Sequence, residues 1–332
     1  MWQAVLGLGG LGMAASLSLV FASKKFAVEV DPKVQAILEF LPGANCGGCG
    51  FPGCSAMAEA MAKGSAPITG CPVGGSDAVK RIAEILGVEA GTRDAVVARV
   101  LCMGGCKSAV EKSRYHGISD CRAATMISGG SKACGYGCLG FGTCERACPF
   151  DAITMSPDGL PVINEDKCTS CGNCVAACPK HIIKLLPVNK KVTVCCSSHD
   201  KGAVVKKKCS VGCIGCSLCQ KACPFDAIEM DRFLARIIPE KCRQCGLCVV
   251  KCPTHVIEDQ LKGLRPAALI GEACNGCAEC VKVCPVTAIQ GQPGQLHVVD
   301  PAKCVGCRAC ADICPIHVIE MQPKTGKTAV KV

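Results

Sequence analysis

Five stretches of this chain read C-x2-C-x2-C-x3-C-P, a spacing that brings four thiols around one compact object. They comprise Cys168, Cys171, Cys174 and Cys178; Cys213, Cys216, Cys219 and Cys223; Cys242, Cys245, Cys248 and Cys252; Cys274, Cys277, Cys280 and Cys284; and Cys304, Cys307, Cys310 and Cys314. Thiolate is a soft ligand that selects iron-sulfur clusters or zinc, and this run is the iron-sulfur one. The proline after each fourth cysteine fixes a turn and withdraws a donor. A sixth stretch, "KACGYGCLGFGTCERACPFDAI", aligns without a gap on "KKCSVGCIGCSLCQKACPFDAI": Cys134 falls on Cys209, Cys138 on Cys213, Cys144 on Cys219 and Cys148 on Cys223. At one ligand position it differs, because Phe141 stands where the other has Cys216.

The runs alternate in the residues after Cys-Pro. Phe-Asp-Ala-Ile or Val-Thr-Ala-Ile continues the first, third and fifth; a histidine three residues on marks the second, fourth and sixth. They therefore pair into three modules, which resemble the bacterial two-cluster ferredoxin. That resemblance implies that three cysteines of each run and the fourth of its partner hold one [4Fe-4S] cluster. The implied sets are Cys213, Cys216, Cys219 with Cys252; Cys242, Cys245, Cys248 with Cys223; Cys274, Cys277, Cys280 with Cys314; Cys304, Cys307, Cys310 with Cys284; and Cys168, Cys171, Cys174 with Cys148. In the altered run the expected set is Cys138, Cys144 and Cys178 with Cys134 in place of the missing thiol, which leaves Cys209 surplus. His181, His255 and His317 come after complete sets and are expected to be structural.

A different set precedes the repeat. In "NCGGCGFPGC" Cys46, Cys49 and Cys54 stand close together among glycines, and Cys71 comes at a distance before Pro72. Structural zinc favours two separated pairs, so this trio with a remote fourth reads as a further [4Fe-4S] site. Two helices should support it. One is capped by Asp31, begins at Pro32 and turns Val34, Ile37, Leu38 and Leu41 inward; the other starts at Ser76 and buries Val79, Ile82, Ile85 and Leu86. Seven clusters use 28 of the 34 cysteines. Cys102, Cys106, Cys121, Cys195, Cys196 and Cys209 remain, and two β-like runs, "VARVLCMGGC" and "KVTVCC", lead into some of them. They could assemble an eighth cluster or stay as buried free thiols.

Such a cysteine density would also suit a disulfide framework, and compartment argues against it. Residues 1 to 22 carry no charge and would span about 33 Å as a helix, enough for a bilayer core. Lys24 and Lys25 come directly after, which places the bulk of the chain on the cytoplasmic side, where thiols stay reduced. "GLGGLG" lacks the preceding strand and the acidic residue of a dinucleotide loop. Gly12 and Ser16, four apart, suit either close approach of another membrane helix or a lipid-facing surface. The formal charge of +10 invites a nucleic-acid partner, but seven thiolate-bound clusters at roughly −2 each bring it to roughly −4. A dense patch stays basic: Lys201, Lys206, Lys207 and Lys208, with Lys190 and Lys191 near in sequence. It is either a solvated face or a landing site for an acidic redox protein.

The expected fold is α+β: a transmembrane anchor (1–25), a small helical [4Fe-4S] domain (30–100), a cysteine-containing insert (101–133), and three two-cluster ferredoxin-like modules (134–190, 191–260, 265–325). This order, with "NCGGCGFPGC" after a membrane helix, closely resembles the B subunit of the Rnf complex, the ion-translocating ferredoxin:NAD+ oxidoreductase, in a long form with three modules. The resemblance implies electron transfer from reduced ferredoxin toward membrane and flavin-containing subunits of the inner membrane, coupled to Na+ or H+ movement. The alternative is an iron-sulfur subunit of another membrane oxidoreductase or hydrogenase. The chain itself offers no catalytic base, nucleophile or dinucleotide loop, so its own chemistry is one-electron transfer.

Overall fold

The computed structural model describes residues 2–25, 31–91 and 94–324. The chain divides into two compact units, residues 1–93 and 94–332.

The first unit is helical. Helix α1 runs Trp2–Lys25, and the Ser16 hydroxyl folds back onto the Gly12 carbonyl at 2.8 Å instead of reaching outward. Among the described residues no helix is long and apolar enough to cross a membrane; the side chains of residues 3–6 and 8, within the apolar run expected to span, lie outside those described. Helix α2 (Pro32–Phe40) starts as its sequence dictates, with the Asp31 carboxylate accepting from the Lys33 N–H and proline in the first turn. Helices α3 (Cys54–Ala62) and α4 (Gly75–Leu86) complete the domain. Val34, Ile37, Leu41, Met57, Met61 and Ile82 form its core, with Cys49, Cys54 and Cys71 packed against it. Leu38, expected inward, is 38% exposed, because α3 and α4 cover only a narrow stripe of α2. Ser76 lies inside the first turn of α4, whose cap is Gly74.

The second unit repeats one plan three times. In the first module, strand β1 (Val96–Val100), helices α5 (Cys121–Met126) and α6 (Thr143–Arg146), strands β2 (Ile153–Met155) and β3 (Pro161–Ile163), helix α7 (Asn173–Ala177) and strand β4 (Ile183–Pro187) come in order. The second has β5 (Val192–Val194), α8 (Gly202–Lys208), α9 (Leu218–Lys221), β6 (Ile228–Asp231), β7 (Leu234–Ile237), α10 (Leu247–Lys251) and β8 (Ile257–Asp259). The third has β9 (Ala267–Ile270), α11 (Glu279–Lys282), β10 (Ile289–Gln290), β11 (Val298–Val299), α12 (Ala309–Ile313) and β12 (Ile319–Gln322). Each module closes the same way. A strand from before the cysteine runs pairs antiparallel with the last strand: β1 with β4, β5 with β8, β9 with β12. The inner hairpins are β2–β3, β6–β7 and β10–β11. Residues 96–100 thus belong to the first ferredoxin module, whereas the sequence placed them in the preceding domain.

The repeat extends to single dihedrals. The residue three beyond each fourth cysteine is left-handed in all six runs, with φ between +47° and +52° at Asp151, His181, Asp226, His255, Thr287 and His317. The histidine backbones serve a turn, as His181 N–H donates to the Cys178 carbonyl and His255 and His317 repeat the bond.

Candidate iron-sulfur centres

Backbone geometry in these modules is organised around sulfur. Ala152, Ala227 and Ala288 each donate an N–H to the thiol four residues earlier, Cys148, Cys223 and Cys284, at 3.2 to 3.4 Å. Gln244 N–H donates to Cys242 in the same way from two residues on. Such donors favour thiolate over thiol and are what a cluster ligand needs. Short helices α6, α9 and α11 carry the third cysteine of their runs on the buried side, at Cys144, Cys219 and Cys280.

The cross-paired sets come together. One cavity of the second module is lined by Cys213, Cys216, Cys219 and, from the other run, Cys252. Burial, then the neighbouring Cys213, pushes the Cys219 thiol up to about 11, with Cys216 and Cys252 adding to it. Cys248 is pushed up to about 12 by burial and by Cys245, Cys242, Cys219 and Cys223. In the first module burial raises Cys174 to about 12, reinforced by Cys168 and Cys171 and then by Cys144 and Cys148. In the third, Cys310 rises to about 11 through burial, Cys307 and Cys304, and Cys307 is itself raised by burial and by Cys284. Cys280 is raised by burial and by Cys274 and Cys277, and shares its core cluster with Cys314. Among the described residues no three His, Cys, Asp or Glu side chains could hold a single metal ion. Zinc would draw its sulfurs to about 2.3 Å from one point, whereas an iron-sulfur core spreads them around a cavity. The thiol-lined cavities suit the second arrangement.

The altered run resolves differently from its sequence expectation. Its cavity is lined by Cys138, Cys144 and Cys178, and the fourth cysteine there is Cys121. Cys144 is raised to about 11 by burial and then by Cys121, with Cys178 also contributing. Cys134, expected in this set, lines a separate cavity. Cys121 reaches its place because its segment is clamped to α6: the Thr143 hydroxyl accepts from the Cys121 N–H at 2.8 Å and donates to Asp120 at 2.9 Å. Arg146 adds bonds to the Ser119 and Phe141 carbonyls. Phe141 packs against Tyr115 of the same strap, ring centroids 5.1 Å apart. The second module lacks this clamp, having Leu218 and Lys221 where this one has Thr143 and Arg146.

In the first unit Cys71 is raised by burial, opposed by the Val73 and Gly74 N–H groups and reinforced by Cys49 and Cys54, which places these three thiols together. The Asn45 side chain accepts from Cys54 N–H at 2.8 Å, tying the glycine loop that carries Cys46 to the start of α3.

Comparison with known proteins adds family to geometry. A putative Fe-S cluster model matches residues 41–73. Two 4Fe-4S dicluster models match residues 133–182, 212–256 and 241–288, and 267–321. The B subunit of the Na+-translocating ferredoxin:NAD+ oxidoreductase complex of Acetobacterium woodii is 47% identical over 79% of each chain. The B subunit of the ion-translocating oxidoreductase complex of Methanosarcina acetivorans is 48% identical over 76% of this chain and 95% of its own. The chain belongs to the family of Rnf complex B subunits. The proton-translocating counterpart from Clostridium ljungdahlii is 46% identical over 76% of this chain and 90% of its own.

Proposed function

We propose that this chain is the multi-[4Fe-4S] electron-transfer subunit of a membrane ferredoxin:NAD+ oxidoreductase that couples electron flow to Na+ or H+ translocation. The observation that carries the reading is the cross-paired cysteine cavity of the second module, joined to family membership. Bound clusters supply reversible one-electron redox chemistry. The protein's part is to hold the thiolates, exclude water and fix spacing. Cys46, Cys49, Cys54 and Cys71 hold one cluster. Six more use the cross-paired sets, with Cys121 as fourth ligand beside Cys138, Cys144 and Cys178 in place of Cys134.

Adjacent sets lie within electrostatic reach of one another, which suits relay. Cys174 of one set feels Cys144 of its mate, Cys248 feels Cys219, and Cys245 of the second module feels Cys307 of the third. Helix α1 anchors the chain as a single span with Lys24 and Lys25 at its cytoplasmic end, and the modules receive electrons from reduced ferredoxin. Other membrane and flavin-containing subunits take them onward. This anchor carries no ionisable side chain within its apolar run, so the ion path belongs to those subunits.

Deleting residues 1–25 tests the reading. The truncated protein should be soluble, still be reduced by ferredoxin, and no longer support NAD+ reduction with the remaining complex. If it is not reduced while the intact complex is, electrons enter elsewhere and this chain is only a relay.

A further inference from the structure

Four cysteines left outside the seven sets converge between the first two modules. Cys102, Cys134, Cys196 and Cys209 line one small cavity, with Cys195 also at its wall, comparable in size to the cavities at the cross-paired sets. The arrangement is pseudo-symmetric. Cys102 comes after β1 and Cys196 after β5, the equivalent closing strands; Cys134 and Cys209 occupy equivalent positions four residues before Cys138 and Cys213. Cys138 N–H donates to Cys102 Sγ at 3.4 Å, and Cys213 N–H donates to Cys196 Sγ at 3.4 Å.

Three further observations separate this site from a chance gathering of thiols. First, the sulfurs are served by backbone donors two residues on, as at Cys242: Gly104 for Cys102, Ser198 for Cys196, Val211 for Cys209. Second, a Cβ at Gly104 would lie 3.3 Å from Cys209 Sγ and 3.7 Å from Cys102 Sγ, so these atoms, 107 positions apart in the chain, face the same point across a backbone with no side chain. The insert is stitched to both sides of it, through bridges Ala109 to Cys209 and Glu111 to Lys132. Third, Lys132 is 2% exposed and its ammonium donates to the Gly104 carbonyl at 2.6 Å. A buried cation needs an anion nearby, and the Cys102 and Cys209 sulfurs both lie by the same Gly104 whose carbonyl Lys132 holds.

The geometry points to an eighth [4Fe-4S] site, ligated by Cys102, Cys134, Cys196 and Cys209, that bridges the first and second ferredoxin modules. Neighbouring thiols are excluded by their own contacts. Cys195 Sγ points to the Thr193 carbonyl at 3.8 Å and to the Glu258 carboxylate at 3.5 Å, and Cys106 is exposed beside Gly159. Because its Cys102 and Cys196 sulfurs accept from the N–H groups of Cys138 and Cys213, ligands of the two flanking sets, the site stands directly between them. One electron arriving from a reduced neighbour takes its core from 2+ to 1+, and the same electron leaves to the other side, with no bond broken and no proton moved. The inference rests on the iron-sulfur reading of the flanking sets.

Iron and acid-labile sulfide per chain test it on the reconstituted full-length protein. The wild type should hold about 32 iron, against about 28 for seven clusters. Cys102→Ala, Cys196→Ala and Cys209→Ala should each lose about 4 iron, Cys195→Ala none, and the double variant C134A/C209A about 4, because both thiols serve one cluster. C121A/C209A should lose about 8, because they serve two. A wild type near 28 whose iron survives Cys102→Ala or Cys209→Ala overturns the eighth site while leaving the other seven, as does zinc in its place. A loss of about 8 from C134A/C209A puts Cys134 back in the first module and overturns it too. Should an alanine variant shed all its iron, the wild-type count decides. A wild type that binds no cluster refutes the iron-sulfur reading itself.

Discussion

A thiol that must become a thiolate inside a protein pays a desolvation cost, and the buried cysteines here show it: Cys138, Cys174 and Cys248 are all pushed up to about 12, burial being the largest cause. Iron binding must displace those protons. For the cluster-free fold the sign comes from the raised values: burial as thiol contributes stability that is complete below the unfolded thiol value near 8.5 and is lost as pH rises toward 11–12. Cluster-free protein should therefore lose structure on going from about pH 8 to about pH 11, monitored by circular dichroism, while the loaded protein keeps its visible absorbance over that range. Single residues also decide the altered run. Cys121→Ala should remove one cluster, about 4 iron, because Phe141 has no sulfur to offer. Adding Phe141→Cys to that variant restores the thiol where the second module has Cys216, and should recover the lost iron. Full iron in C121A alone would return the ligand role to another thiol.

At the scale of elements, the closing strands do more than complete sheets. Arg99 on β1 is 7% exposed and meets Glu165 at 3.0 Å and Gln260, just past β8, at 2.8 Å, so it joins two modules through one guanidinium. Glu165 also pairs with Lys191, which leads into β5. Burial raises the Glu165 carboxyl, but Lys191 and Arg99 outweigh it and hold the group below the usual carboxylate range. A lowered value contributes stability above the unfolded value near 4.3 and loses it as pH falls through the folded one. Glu165→Gln should cost about 2–3 kcal/mol at pH 7, since it strands a buried guanidinium, and the difference from wild type should shrink below about pH 4. Thermal midpoints at the two values of pH check it. The sequence made the regular elements legible, because C-x2-C-x2-C-x3-C-P dictates turn, helix and ligand at fixed offsets, and the runs before Cys102 and Cys195 do form β1 and β5. Cys121 was not legible, because its place depends on a clamp between Asp120, Thr143 and Arg146 that no periodicity announces. The same holds for the convergence of Cys102 with Cys209: contacts across about a hundred residues are made by the packing of modules, not by spacing. Leu38 was misplaced for a related reason, since the helical pattern gives a face but not how much of it neighbours cover.

For the whole molecule, charge must be counted with its metal. The formal +10 falls to roughly −4 with seven clusters and roughly −6 with eight, so the loaded protein is acidic overall and would on average repel an acidic partner. Attraction must then be local. Of the basic group, Lys208 is tied to Asp200 at 2.8 Å, Lys191 to Glu165, and Lys190 donates to the Cys242 carbonyl at 3.0 Å. Lys201, Lys206 and Lys207 stay exposed, on and just before α8, which runs directly into Cys209. An acidic ferredoxin steered to these three would dock above a thiolate set and not above bare polypeptide. The triple variant K201E/K206E/K207E, which leaves every cysteine in place, should keep its iron and its fold yet be reduced by ferredoxin about tenfold more slowly at low ionic strength. Steering acts on association, so the wild-type rate should fall steeply as salt rises toward about 0.5 M while the variant's stays nearly flat, and the two should converge. Stopped-flow bleaching of the cluster absorbance measures both. Equal rates and equal salt dependence would place the ferredoxin contact on another face and leave these lysines as a solvated surface.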